Sequence, residues 1–329
     1  MKVLDCIDAG TEYCPCHLAE KGECIMCSQL QGKSFCDCVN WKGVCIYQEY
    51  IWNQSHNKES RKTYTCEVLN KEQIAASIYI FKIKVNRTLT RELNQPGAYV
   101  FLRSLNDPLY FDMPMSIMKV DKEEETINIV VQERGVKTKS LLEAKNGNDK
   151  EVLLRGPFWN GVLGVKYIKG FRKGKALLLV RGIGQAPALL VANKILQGGS
   201  SVEVILDRGK AGVDFTKNRF EKMGCHVINK KIIDEENLTV SDWVIQYVRN
   251  SITNKGTELI YSGGPEILHY GIGELIKQMG SDVYFTCSNN MKLCCGEGIC
   301  GSCQTRLIDG KRVKTCKTQF DPIAIYGGR

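Results

Sequence analysis

Four cysteines near the C-terminal end constrain the fold of this chain more strongly than any other feature. Cys295, Cys300, Cys303 and Cys316 follow the spacing C-x4-C-x2-C-x12-C, and three glycines lie among the first three cysteines. The first three cysteines have the spacing of a loop that holds a [2Fe–2S] cluster. Glycines let such a loop approach the cluster closely and point backbone N–H groups at its sulfur atoms. The pattern therefore predicts four thiolate ligands to a [2Fe–2S] cluster.

A zinc site is the main alternative for these cysteines. Zinc sites usually combine two C-x2-C pairs, whereas only Cys300 and Cys303 form such a pair here. The spacing therefore favours the cluster. Cys287 and Cys294 lie outside the pattern, and we predict that they are not ligands.

Composition and charge exclude several classes of protein. The chain has 329 residues, 43% apolar and 25% charged, which is typical of a soluble protein with two or three domains. Neither a signal-peptide pattern nor an apolar run of membrane-spanning length is present, which predicts a cytoplasmic protein. The formal net charge is +9, but the basic residues are dispersed among acidic ones. We therefore expect no nucleic-acid binding, and a basic surface that is solvated or faces an acidic partner protein.

A second group of cysteines lies within the first 45 residues. It comprises Cys6, Cys14, Cys16, Cys24, Cys27, Cys36, Cys38 and Cys45. Disulfides are rare in cytoplasmic proteins, and this segment has too few aliphatic residues to build a core without help. We therefore predict that metal organises it. Zinc sites with four thiolates and [4Fe–4S] clusters both remain open at this point.

The pattern of predicted secondary structure changes near residue 175. Residues 77–85, 98–103 and 126–131 are β-type runs separated by turns, which predicts a small antiparallel barrel. The apolar run at 176–180 leads into a glycine-rich turn and a helical pattern, and further strand and helix patterns follow. This alternation predicts a doubly wound α/β domain.

The predicted fold class is therefore a multidomain chain. Its parts are a Cys-rich metal-binding module (1–52), a polar linker (53–63), an antiparallel β-barrel (64–165), an α/β domain (173–283) and a small C-terminal cluster domain (284–329).

Several short motifs occur in the order that is typical of one protein family. They are Pro96-Gly-Ala-Tyr-Val100, Met113-Pro-Met-Ser-Ile117, Gly135-Val-Lys-Thr138, Gly156-Pro-Phe-Trp-Asn-Gly161, Gly182-Ile-Gly-Gln-Ala-Pro187, Gly263-Gly-Pro265 and the cysteine loop. This ordered set resembles the ferredoxin–NADP reductase superfamily. Within it, the chain resembles the electron-transfer subunit of class 1B dihydroorotate dehydrogenase and the small subunit of ferredoxin:NADP transhydrogenase, often called sulfide dehydrogenase.

The resemblance implies that the barrel binds FAD. It places Met113, Pro114, Met115, Ser116 and Ile117 beside the flavin ring, with Ser116 as the catalytic residue whose hydroxyl bonds flavin N5. Met113 stands where the family has an arginine that neutralises the FAD pyrophosphate. The remaining flavin-binding residues that the resemblance implies are Gly135, Lys137, Thr138, Gly156, Asn160 and Gly161. Of these, Lys137 is the candidate to replace the missing arginine.

The resemblance also implies that the α/β domain binds NAD(P)H. The implied nucleotide-binding residues are Gly182, Gly184, Gln185, Ala186, Pro187, Asp207, Gly263, Gly264 and Pro265. The sequence departs from the family pattern at three places in this domain. Gly263 replaces a cysteine near the nicotinamide, Arg181 stands where glycine is common, and residues 229–237 replace a Thr-Asp-Asp-Gly-Ser segment.

Two hypotheses for function follow. In the first, electrons move between NAD(P)H, FAD and the [2Fe–2S] cluster, to or from a partner. The implied partner is a second oxidoreductase subunit, either dihydroorotate dehydrogenase-like or a glutamate-synthase-like flavoprotein, or else a ferredoxin. In the second, the nicotinamide site is degenerate, and the chain is a non-catalytic, metal-bearing docking or wiring subunit.

Overall fold

The chain forms two compact units. The computed structural model describes residues 4–38, 41–143 and 150–328. The first unit comprises the described residues of 1–62 and 291–320, and the second those of 63–290 and 321–329. The first unit is therefore built from both ends of the sequence. The predicted boundaries, in contrast, treat the N-terminal module and the cluster segment as separate domains.

Short strands and helices alternate along the described chain. The strands are β1 (Asp5–Cys6), β2 (Thr63–Ala75), β3 (Ile78–Lys84), β4 (Tyr99–Ser104), β5 (Met113–Asp121), β6 (Thr126–Gln132), β7 (Glu151–Phe158), β8 (Val162–Leu163), β9 (Lys175–Arg181), β10 (Ser201–Asp207), β11 (His226–Asn229), β12 (Ile233–Asp234), β13 (Thr239–Val240), β14 (Thr257–Gly263), β15 (Tyr284–Ser288), β16 (Gln304–Arg306), β17 (Arg312–Lys314) and β18 (Thr318–Gln319). The helices are α1 (His17–Glu20), α2 (Ile46–Trp52), α3 (Arg87–Leu93), α4 (Val136–Leu142), α5 (Val165–Gly170), α6 (Gln185–Gln197), α7 (Lys217–Lys222), α8 (Asp242–Thr253), α9 (Glu266–Met279) and α10 (Ile323–Tyr326). Within the described ranges, none of these helices has the length and apolar character that crossing a bilayer requires.

The second unit begins with a closed antiparallel barrel. Its strands follow the order β2-β3-β6-β5-β4-β7, and β7 closes the barrel against β2. Alternate apolar side chains fill the interior, among them the fully buried Ile83, Phe101 and Ile129. The barrel that the β-type runs predict is therefore confirmed.

An α/β sheet follows the barrel in the same unit. Its strand order is β11-β10-β9-β14-β15-β8, and all pairs are parallel except β15 with β8. The apolar run of β9 is buried along its length, as predicted for a parallel strand covered on both faces. Helix α6 packs against β9, β10 and the barrel strand β5. The turn before α6 is thereby held close to β5.

The last residues of the chain also belong to the second unit. Strand β15 pairs with β14 in the α/β sheet, and α10 packs against α9. A Cβ at Gly273 would collide with the backbone of Tyr326, which explains why α9 has glycine at this contact. The predicted cluster domain (284–329) is thus divided between the two units.

Strand pairing joins the two ends of the chain within the first unit. Strand β1 pairs antiparallel with β18, so that Cys6 lies opposite Thr318. A small core of Ala19, Leu30 and Ile46 packs in the N-terminal segment, and two of its cysteines, Cys24 and Cys27, belong to the same core.

Four buried charged side chains hold this unit together. The guanidinium of Arg61 contacts Asp8 at 2.7 Å and Glu297 at 2.9 Å, and the ammonium of Lys317 contacts Asp8 at 2.6 Å and Glu297 at 2.8 Å. All four side chains are at most 8% exposed. Because two cations face two carboxylates, the buried quartet is neutral. Arg61 falls in the predicted linker, yet it is buried rather than solvated.

The quartet shifts the ionisation of its members. Burial alone would raise the pKa of Asp8 and of Glu297, but Lys317 and Arg61 hold both pKa values below the ordinary range. The stabilisation from each carboxylate is therefore fully present above its ordinary pKa, near 4, and is lost as the pH falls through its lowered folded-state pKa.

We predict that Arg61→Met destabilises the first unit by about 3–5 kcal/mol, because it leaves two buried carboxylates facing a single cation. The measurement is the free energy of unfolding from urea denaturation, followed by the fluorescence of Trp41 and Trp52. Lys62→Met is the matched control, since Lys62 is adjacent but exposed. Equal stability of the two variants would show that the quartet does not hold the unit together.

Candidate functional site

The cysteine loop brings its four thiols together as two pairs. Hydrogen bonds link the side chains of Cys295 and Cys300, and those of Cys303 and Cys316. Cys303 and Cys316 are buried, whereas Cys300 is exposed. The backbone turns at Gly296, Gly298 and Gly301 all have φ between 73° and 79°, a region that glycine enters without strain. The loop thus brings the four predicted ligand thiols together, and the cluster that they would hold stays a prediction.

Hydrogen bonds in the loop favour the thiolate form of Cys300 and Cys303, whereas the bond to Cys303, together with burial, raises the pKa of Cys316. The thiol of Cys316 donates to the sulfur of Cys303, which lowers the pKa of Cys303 to about 6. Burial works against ionisation of Cys300, but hydrogen bonds from Ser302 and Cys295 lower its pKa to about 7. The backbone N–H of Glu297 donates to the sulfur of Cys295 at 3.4 Å. Thiolates are the metal-binding form of cysteine.

The paired arrangement fits a two-iron cluster. In a [2Fe–2S] cluster the four protein ligands are shared equally between the two irons. Cys295 with Cys300 and Cys303 with Cys316 provide two such pairs. The described ranges, this loop included, contain no group of three Cys, His, Asp or Glu side chains arranged around a single metal ion.

The predicted flavin strand is β5 of the barrel. Residues 113–117 pair with β4, so that Ser116 lies opposite Tyr99 and Met113 opposite Leu102. Met113 and Ile117 are buried, Met115 and Ser116 are half-buried, and Pro114 is exposed. Ser116 is therefore accessible from outside the barrel, on the strand that packs against α6.

The turn at 135–138 begins helix α4. The hydroxyl of Thr138 accepts hydrogen bonds from the backbone N–H groups of Arg134 (2.9 Å) and Gly135 (3.1 Å), so it holds the turn itself. Lys137 donates to the carbonyl oxygen of Tyr110, and its ammonium lies 6.0 Å from the ring centre of Phe111. Lys137 is therefore held above the segment that leads into Met113.

Two arginines that no sequence motif marks lie next to the segment that leads into Met113. Arg103 and Arg155 both contact Asp112, at 2.5 Å and 2.8 Å, and Arg155 lies over the ring of Phe101. They place two guanidinium groups one residue from Met113, the position that lacks the family arginine. No local motif marks them, since they come from β4 and β7 and meet only in the folded barrel.

The loop at 156–161 packs closely on the start of β4. A Cβ at Gly161 would lie 2.8 Å from the carbonyl oxygen of Gly97, so the two backbones are in direct contact. Gly156 is buried against Val100, and Asn160 is fully buried, its carbonyl oxygen accepting a hydrogen bond from Asn289 at 2.8 Å. Asn160 thus ties this loop to the residue that follows β15.

The predicted nucleotide turn connects β9 to α6. Gly182 to Gly184 form one 3-10 turn, and Gln185 to Pro187 form the first turn of the helix, where proline is tolerated. A Cβ at Gly184 would collide with the backbone of Gly263, so Gly184 is required for this approach. Gln185 is fully buried and accepts from the Phe215 N–H and the Thr216 hydroxyl. It therefore supports the fold instead of facing a ligand.

Asp207 is engaged within the protein. It accepts hydrogen bonds from the backbone N–H groups of Gly209 (2.8 Å) and Ile232 (2.9 Å), and it contacts Arg181 at 3.0 Å. Arg181 also contacts Glu235 at 2.6 Å, and Glu235 belongs to the segment 229–237. Two departures from the family pattern, Arg181 and this segment, therefore meet as an ion pair. Both carboxylate oxygens of Asp207 are therefore engaged by the protein itself.

Tyr261 explains the glycine at position 263. A Cβ at Gly263 would lie 2.8 Å from Cε1 of Tyr261, so a cysteine here would displace the tyrosine ring. The Tyr261 hydroxyl is buried and meets no hydrogen-bond partner in the described chain. The next residues of the motif, Gly264 and Pro265, lead into α9, and Gly264 accepts from Asn290 at 2.7 Å.

The N-terminal cysteines lie in two groups within the first unit. Cys6, Cys14, Cys16 and Cys24 line one small cavity. Cys38 neighbours Cys27, Cys36 and Cys45, with a side-chain hydrogen bond to Cys36. Metal binding by these residues stays a prediction.

Known proteins similar to this chain are electron-transfer subunits. The chain is 28% identical over 246 residues to the dihydroorotate dehydrogenase B (NAD(+)) electron transfer subunit of Fusobacterium nucleatum, covering 74% of this chain and 89% of the relative. It is 27% identical to the corresponding subunit of Bacillus cereus, covering 73% and 87%. No protein-family model matches the chain.

Solved structures share the fold at lower identity. The structure of an NADH-dependent reduced ferredoxin-NADP oxidoreductase, which concerns flavin-based electron bifurcation, matches with a TM-score of 0.61 and 19% identity, covering 79% of this chain and 90% of that one. The CS-b5R domains of human Ncb5or match with a TM-score of 0.51 and 14% identity, covering 71% and 73%.

We predict that Gly184→Ala destabilises the second unit by about 1–3 kcal/mol, because the added methyl group forces the β9–α6 turn away from Gly263. The measurement is the urea dependence of unfolding. Gly170→Ala is the control, since a Cβ at Gly170 meets no atom within 4 Å. A Gly184→Ala variant as stable as Gly170→Ala would contradict the close approach of the two turns.

Proposed function

Because this chain has the fold of the ferredoxin–NADP reductase superfamily and is homologous to electron-transfer subunits of dihydroorotate dehydrogenase B, we propose that it is the iron–sulfur flavoprotein subunit of an oxidoreductase. It moves electrons between NAD(P)H and a partner subunit. Bound FAD and a [2Fe–2S] cluster supply the conversion of a hydride into single electrons and their relay. The observation that carries the proposal is the cysteine loop, whose two thiol pairs have the form that such a cluster requires.

The barrel residues bind and orient the flavin in this proposal. The half-buried Ser116 offers a hydroxyl to the flavin ring from β5. Lys137, together with Arg103 and Arg155, supplies positive charge where Met113 replaces the family arginine, and so favours the pyrophosphate. The loop of Gly156 to Gly161, which packs on the start of β4, would border the flavin ring.

The partner follows from the relatives. Their names describe one subunit of dihydroorotate dehydrogenase B, which implies a separate catalytic subunit in those enzymes. A dihydroorotate dehydrogenase-like flavoprotein is therefore the proposed partner. A glutamate-synthase-like subunit and a ferredoxin are the alternatives.

The ion pairs of Arg181 favour a second candidate function. Arg181 pairs with Asp207 and Glu235, so the aspartate proposed to bind a ribose is already engaged. A Cβ at Gly263 would lie 2.8 Å from the ring of Tyr261, which leaves no room for the family cysteine. In this second candidate function NAD(P)H does not bind, and the chain transfers electrons between other proteins through its metal sites.

The flavin assignment predicts that Lys137→Met weakens FAD binding about tenfold or more, because a charge-assisted phosphate contact contributes about 1.5–3 kcal/mol. The measurement is the Kd from fluorescence titration of flavin-free protein with FAD. Lys139→Met is the matched control, an exposed lysine on the same helix. Equal Kd values for the two variants would remove Lys137 from the flavin site.

An anaerobic titration with NADH and then NADPH tests the proposed function. We expect the flavin and cluster absorption bands to bleach together with one of the two coenzymes. Bands that persist with both, yet bleach with dithionite, would reject the NAD(P)H-linked function in favour of the wiring subunit.

The ligand assignment is tested in the same experiment with two cysteine variants. Cys300→Ser is expected to remove the EPR signal of the [2Fe–2S] cluster while flavin bands remain. Cys294→Ser, the control at the exposed neighbour of Cys295, is expected to keep the signal. The reverse result would mean that the ligands are assigned wrongly.

A further inference from the structure

The eight N-terminal cysteines divide into two sets of four with similar spacing. Cys6, Cys14, Cys16 and Cys24 follow C-x7-C-x-C-x7-C, and Cys27, Cys36, Cys38 and Cys45 follow C-x8-C-x-C-x6-C. Each set spans 19 residues. Two successive segments of equal length, each with a central C-x-C pair, indicate that the unit of this module is a set of four thiols. Four is also the number of cysteine ligands in zinc–thiolate sites and in iron–sulfur clusters.

The folded structure assembles the first set around a cavity. All four thiols line it, together with Asp8 and apolar side chains that include Leu18, Ile25 and Ile46. Among the described residues, no three Cys, His, Asp or Glu side chains are arranged around a single metal ion, and these four thiols are no exception. The thiols are therefore spread more widely than one ion requires, which suits a larger inorganic group. The apolar wall also limits solvent access, which tunes the potential of a redox centre.

Backbone N–H groups approach every sulfur of this set. The backbone N–H groups of Asp8, Leu18 and Met26 donate hydrogen bonds to the sulfurs of Cys6, Cys16 and Cys24, respectively. Each donor lies two residues after its cysteine. The N–H of Gly10 donates to the sulfur of Cys14. The C-terminal loop has the same arrangement, with the N–H of Glu297 donating to Cys295. Such hydrogen bonds stabilise thiolate ligands of iron–sulfur clusters.

The first set also lies directly beside the C-terminal cluster loop. Cys6 pairs across the β1–β18 ladder with Thr318, two residues beyond Cys316. A Cβ at Gly298 would lie 3.1 Å from the Leu18 side chain, so the loop packs on α1. Both sites therefore share one compact unit, although their cysteines come from opposite ends of the chain.

We propose that Cys6, Cys14, Cys16 and Cys24 hold a [4Fe–4S] cluster next to the site of Cys295, Cys300, Cys303 and Cys316. The site goes beyond the proposed function, which needs only a flavin and the C-terminal cluster. It gives the chain a second iron–sulfur centre, in the N-terminal module.

Metal and sulfide analysis of the full chain, purified anaerobically, tests this inference, with Mössbauer spectra of iron-57-labelled protein. The wild type is expected to contain about four irons and four sulfides beyond those of the [2Fe–2S] cluster, with a [4Fe–4S] component in the spectrum. Cys16→Ser is expected to lose that component and about four irons, while the [2Fe–2S] signal remains. Cys225→Ser, at a buried thiol of the second unit, is the matched control and keeps all of the iron.

The wild type decides the question even if Cys16→Ser fails to fold. Stoichiometric zinc with no [4Fe–4S] component in the wild type would overturn the proposal, as would a folded Cys16→Ser variant that keeps all of its iron. Cys300→Ser separates this result from the proposed function, since it is expected to lose only the [2Fe–2S] signal. An N-terminal cluster that persists in Cys300→Ser supports the present inference whether or not NAD(P)H reduces the protein.

Discussion

A neutral quartet of buried charges underlies the arrangement of all the cysteine sites. Asp8 lies between Cys6 and Cys14, and Glu297 lies between Cys295 and Cys300. Lys317 follows Cys316, and Arg61 lies just before the barrel. Burying any one of these charges alone would cost several kcal/mol. Each end of the chain therefore supplies charges that neutralise those of the other end. Together with the β1–β18 ladder, these ion pairs bring the two sets of thiols into one unit.

The fold of the second unit was largely predictable because its signals are local. A continuous apolar run predicts a parallel strand, and β9 is buried as that rule requires. The β-type runs at 77–85 and 126–131 predict barrel strands, and the glycine-rich turn after the apolar run predicts the start of α6. The cysteine loop belongs to the same class, because three of its four ligands lie within nine residues. Each of these features depends on side chains a few positions apart.

Contacts between residues that are distant in sequence leave no local pattern. Predictions that depend on such contacts were therefore incomplete. Arg61 stands in a polar stretch that reads as a solvated linker, and only the folded structure supplies its two carboxylates. Asp207 ends a strand in the position of a ribose ligand, yet Ile232 and Arg181 take up its oxygens. Arg103 and Arg155 meet at Asp112 from separate strands. In each case the partner, not the residue type, decides the role.

The departures from the family pattern are coupled in space, and this bears on whether the nucleotide region retains a function. Arg181 pairs with Glu235 of the altered segment, and the ring of Tyr261 fills the space that Gly263 leaves. The Glu235 side chain is 61% exposed, so its ion pair with Arg181 contributes little to stability. The contact of Arg181 with Asp207 is the firmer of the two, since both side chains are less than a tenth exposed. One guanidinium group therefore joins the end of β9 to the altered segment 229–237. A nucleotide at the end of β9 would meet this coupled group and not the glycine turn alone.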